Sequence, residues 1–90
     1  MILTKEQLPV FYDEIKNGGH ECDEEKREIR LKLPDDISEL WIVSEIESAP
    51  DRYQVKWSSP RMDSADDCAE YKTSPQGSHI IEAAWQKATQ

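Results

Sequence analysis

Glu39-Leu40-Trp41-Ile42-Val43-Ser44-Glu45-Ile46-Glu47 places Leu40, Ile42 and Ile46 on one parity and Trp41, Val43, Glu45 and Glu47 on the other. A strand points successive side chains to opposite faces, so this stretch is apolar on both sides at its start, as suits a central strand. If Leu40, Ile42 and Ile46 face the helices, Trp41 and Val43 lie on the open face of the sheet. Upstream, Ile29, Leu31 and Leu33 alternate with Glu28, Arg30 and Lys32 in a half-buried strand that ends at Pro34-Asp35-Asp36. Downstream, Ser48-Ala49-Pro50-Asp51 reads as a turn, after which Tyr53, Val55 and Trp57 alternate with Arg52, Gln54 and Lys56. Three strands with short connections form an antiparallel meander.

Helices flank this meander. Leu8, Phe11, Tyr12 and Ile15 fall on one helical face, and Gly18 is placed to end that helix. Thr4 and Gln7 have the spacing of a capping box, but Pro9 lacks an amide hydrogen, so the regular helix starts after a loose first turn. Within residues 61–77, Ser64 followed by Asp67 resembles an N-cap, and Ala65, Cys68 and Tyr71 give a short apolar face. Ser78 is expected to cap a last helix with Ile81, Ala84, Trp85 and Ala88 at helical spacing. The expected fold is α+β: an N-terminal helix, a three-stranded antiparallel sheet, then one short and one longer C-terminal helix packed on one face.

That element order resembles the double-stranded RNA-binding domain, with Ser78–Gln90 in the place of its last helix. The family sets lysines at the start of that helix to hold phosphates, where this chain has Ser78, His79 and Ile80. The resemblance implies an architecture, and no RNA binding follows from it.

Ninety residues fit a single compact domain, 1–90, with one modest core. Eleven bases against nineteen acids give a net charge of −8, which repels phosphate backbones and anionic lipid, so neither nucleic acid nor membrane is an expected partner. The opening residues MILTKEQLPV lack the basic and apolar blocks of a secretory signal, and no apolar run approaches the ~20 residues that span a bilayer. A cytoplasmic protein with Cys22 and Cys68 as free thiols is the expectation.

Residues 20–25, HECDEE, put two metal-capable side chains beside four carboxylates. Together His20, Cys22, Cys68 and His79 are numerically enough for a structural zinc site, but the pairs lack tight knuckle spacing. Neither CDEEKRE nor DSADD has the alternating spacing of a calcium loop. With two histidines, three glycines, no nucleophile elbow and no phosphate loop, the chain offers poor material for an enzyme; no metal and no cofactor are expected.

Charge distribution is the remaining signal. Segment 21–28 carries −3, segment 35–51 six acids and no base, and segment 62–77 −3, while 29–34 and 52–61 carry +2 and +3. Arg30, Lys32, Arg52 and Lys56 point outward from strands, with Glu45 and Glu47 expected opposite them. The acidic connections point to a binding protein that occupies a basic surface on a partner, such as a nuclease or another nucleic-acid-binding complex. Its contact residues would be Glu21, Asp23, Glu24, Glu25, Asp35, Asp36, Asp63, Asp66 and Asp67, with Trp41 as an aromatic anchor. Small acidic phage inhibitors of host nucleases, of the anti-restriction and anti-CRISPR kinds, are similar in size and charge and act by nucleic-acid mimicry. The alternatives are a small domain stabilised by a metal on the four ligands above, and an acidic accessory or immunity-type subunit.

Overall fold

The computed structural model describes residues 1–58 and 75–90. Its elements are β1 (Ile2–Thr4), α1 (Leu8–Asn17), β2 (Glu21–Asp23), β3 (Glu28–Leu33), β4 (Ile37–Ile46), β5 (Ala49–Ser58) and α2 (Ser78–Thr89). The strands form one antiparallel sheet in the order β1-β5-β4-β3-β2. The fold remains α+β, but the sheet has five strands where three were expected, and a strand precedes the first helix. The short helix expected around Ser64–Tyr71 lies outside the described residues.

The two extra strands have three residues each, too few to show a period of two. They owe their conformation to neighbours: Leu3 stands opposite Tyr53, and Cys22 opposite Ile29. Both cover part of a longer strand at an edge of the sheet, where unpaired backbone groups would otherwise face solvent.

The meander itself forms as its alternation requires, with the middle strand turned over. Ile29 is paired with Trp41 and Leu31 with Glu39; Trp41 is also paired with Trp57 and Val43 with Val55. Opposed residues in a ladder share a face, so the inward Ile29, Leu31 and Val55 carry Glu39, Trp41 and Val43 to the core side. All three of these β4 residues are buried, while Leu40 and Ile42 are half-exposed on the other side. The β4–β5 turn falls at Glu47-Ser48, earlier than expected, with a register shift between Glu45 and Ile46.

Both helices lie on the core side. From α1, Leu8, Phe11, Tyr12 and Ile15 are buried; from α2, Ile81, Ala84 and Ala88. Burying side chains of the size of Phe11, Ile15 or Ile81 stabilises by about 1.5–3 kcal/mol each. Regular helix begins at Leu8 with Pro9 in its first turn and Gln7 as its N-cap, so the expected capping box on Thr4 does not form; Gln7 Oε1 accepts the Thr4 amide at 2.8 Å in the turn between β1 and α1. At the far end Gly18 keeps φ −78°, and the left-handed residue is Gly19 at φ +88°. Ser78 does not cap α2: Gly77 is the N-cap residue, and Ser78 Oγ donates to the Pro75 carbonyl at 3.4 Å. Among the described residues no helix is long and apolar enough to cross a membrane.

Candidate functional site

The HECDEE stretch is an edge strand and the start of a hairpin turn. Glu21 and Asp23 project from β2 on the open face, opposite Arg30 and Glu28 of β3. Glu24 and Glu25 follow in the β2–β3 turn, which is organised by the Asp23 carboxylate accepting the Lys26 amide at 3.0 Å. Lys16 of α1 reaches Glu24 at 3.1 Å. Arg27 closes the turn at φ +56° with its guanidinium 4.9 Å from the Tyr53 ring centroid, a cation–π contact that takes this base away from the neighbouring acids.

Asp35 and Asp36 occupy the β3–β4 turn, at the opposite end of the sheet. The six residues of β3 separate them from Glu24 and Glu25 by about 20 Å. The antiparallel order instead brings the β4–β5 turn, with Glu45, Glu47 and Asp51 around it, to the same end as Glu24 and Glu25. The six acids of segment 35–51 are therefore split between the two ends and the core. Asp63, Asp66 and Asp67 lie outside the described residues.

Trp41 is not on the open face. It is 5% exposed, packed in the core, and donates its indole N–H to Glu39 Oε1 at 3.2 Å. Glu39 is fully buried and also accepts the backbone amides of Gln76 and Gly77, the latter at 3.0 Å. A carboxylate at the entry of α2 meets the positive end of the helix dipole and uses amides that have no partner within the helix. Gly77 allows this approach: a Cβ there would stand 3.0 Å from Glu39 Oε1 and 2.5 Å from Leu31 Cδ1. Glu39 is thus a structural acid, and sequence patterning missed it because its partners lie 37 and 38 residues away.

The expected pairing of strand bases with Glu45 and Glu47 does not form. Glu45 stands opposite Tyr53, and Lys32 pairs with Glu21 of β2 at 3.0 Å. Arg30 and Lys56 are instead flanked on β4 by Leu40 and Ile42.

His20 holds the backbone together locally, its Nδ1 accepting the Lys32 amide at 2.9 Å and so satisfying a β3 edge group just beyond the end of β2. Partial burial, aided by the Lys32 charge, lowers its pKa below the usual 6.5. Cys22 is half-buried, its Sγ 3.8 Å from the Tyr12 carbonyl, and burial pushes the thiol up to about 11, far from a reactive thiolate. Tyr12 is pushed up to about 12, first by burial and then by Cys22, and its hydroxyl has no hydrogen-bond partner among the described residues. His20 and His79 line one groove of about 320 Å³ between α1 and α2, together with Gly18, Ile80 and Ala84. Among the described residues no three His, Cys, Asp or Glu side chains converge on a metal position; Cys68 lies outside them.

No protein-family model, curated protein or solved structure matches this chain. Its own arrangement offers a rigid sheet with an acid-rich end, a smaller acidic turn at the other end, and an open face of mixed charge.

Proposed function

We propose that this chain is a non-enzymatic protein-binding module that occupies a basic, nucleic-acid-binding surface of a partner, using the acidic end of its sheet. The observation that carries this reading is the convergence of two connections: Asp23, Glu24 and Glu25 from one turn, with Glu45, Glu47 and Asp51 around the other. All six are exposed. Carboxylates held on rigid hairpins present a repeated negative charge to Lys and Arg side chains, as a phosphate backbone does, and accelerate encounter with a basic groove. Small acidic phage inhibitors of nucleases offer a functional parallel in size and charge. Asp35 and Asp36 form a separate, smaller site, and buried Trp41 takes no part in the contact.

The test is recovery of partners by the tagged protein at low and high salt, with each recovered protein assayed for loss of nucleic-acid binding when this chain is added. Glu24→Lys/Glu25→Lys should cut the association rate about tenfold or more at low salt and much less at high salt, while Asp35→Lys/Asp36→Lys leaves it nearly unchanged. Binding that ignores both reversals and salt would overturn the proposal.

A further inference from the structure

The face of the sheet turned away from the helices carries a charge pattern unlike the rest of the molecule. Glu21, Asp23 and Glu28 stand there with Arg30, Lys32, Arg52 and Lys56, near balance in a chain of net charge −8. Two copies of so acidic a chain repel one another through most of their surfaces. This face is where they can meet.

Its central row is also self-complementary. Glu28 of β3, Ile42 of β4 and Lys56 of β5 are consecutive cross-strand neighbours, so one row reads acid, aliphatic, base. Leu40 continues the aliphatic centre in the next row. Ile42 and Leu40 are half-exposed, and among the described residues neither Glu28 nor Lys56 has an ion-pair partner. A twofold axis parallel to β4, between two such faces about 10 Å apart, exchanges the β3 and β5 sides. It sets Glu28 of each copy against Lys56 of the other, twice, and stacks Ile42 on Ile42 and Leu40 on Leu40.

We propose that the open sheet face is the interface of a symmetric homodimer, a sandwich of two sheets with the helices outside. Aligned packing, in which the strand directions of the two sheets stay within about 30° of each other, suits this arrangement. The axis preserves strand direction, so the acidic ends of the two copies point the same way. The dimer does not rest on the proposed partner: the residues that carry it, Glu28, Leu40, Ile42 and Lys56, are none of the six carboxylates proposed to meet that partner, although Asp23 borders both surfaces.

Sedimentation equilibrium of the whole chain tests it, using the wild type, Glu28→Lys, Lys56→Glu and the double reversal. The wild type should be a dimer. Each single reversal should weaken association by about tenfold or more by placing like charges in contact twice, and the double reversal should restore it. Circular dichroism and unfolding midpoints at dilute concentration separate lost association from lost folding, which these partly or fully exposed sites should not disturb. A wild type that stays monomeric, single reversals that dimerise normally, or folded reversals without recovery in the double would each overturn the dimer.

Discussion

Glu39 joins the last helix to the middle of the sheet through one carboxylate. A carboxylate accepts at both oxygens, so it can serve the Trp41 indole and the Gln76 and Gly77 amides together. Glu39→Gln keeps one acceptor oxygen and is expected to cost about 1–2 kcal/mol, whereas Glu39→Ala strands two buried donors and the part-buried Gln76 amide and should cost about 3–5 kcal/mol. Urea unfolding distinguishes the two; an alanine variant no worse than glutamine would mean that these bonds do not hold α2. The same residue explains why the faces of β4 were not legible. A strand apolar on both parities does not choose its inward side, and an acid on one of them argues for the wrong answer. The choice is made by pairing: Ile29 and Leu31 bring Trp41 and Glu39 with them.

At the scale of elements, alternation and helical spacing were sufficient for β3, β4, β5 and both described helices. The three-residue edge strands were not, because their order comes from ladders to distant partners. The turns lie between these cases. In Pro34-Asp35-Asp36-Ile37 both central residues have positive φ, +64° and +58°, and the Ile37 amide donates to the Pro34 carbonyl at 3.4 Å. That φ pattern belongs to the type I′ hairpin turn, whose second central position favours glycine. Asp36→Gly should therefore raise stability by about 0.5–1 kcal/mol, and Asp36→Val should lower it by more than ~1 kcal/mol, both measured by chemical unfolding. Should glycine fail to stabilise, the aspartate side chain must be offsetting its own backbone strain.

Over the whole molecule, three perturbed groups limit stability from both sides of neutral pH. His20 is harder to protonate in the folded state, so its contribution is present above pH 6.5 and declines as pH falls toward and through its lower folded value. His20→Gln should flatten that decline below pH 6.5. Cys22 and Tyr12 are raised from 9.0 and 10.0 to about 11 and 12, so their contributions persist below those ordinary values and are lost as pH rises through the folded ones. Unfolding free energy measured against pH should form a plateau between these limbs; one that kept rising beyond pH 9 would contradict the burial of both groups. The acid excess was visible in composition, but its grouping by sheet end came from topology, which separates Asp35 and Asp36 from Glu24 and Glu25. Topology also orders the making of the molecule. Trp85 closes its indole on the Ile2 carbonyl across 83 residues, at 2.9 Å. As the chain leaves the ribosome, the β2–β5 hairpins can assemble from local contacts, while β1 must wait for β5 and α2, both synthesised after it. Although made before its partners, β1 is therefore secured after them, and until then the outer edge of β5 is open to any extended segment passing by.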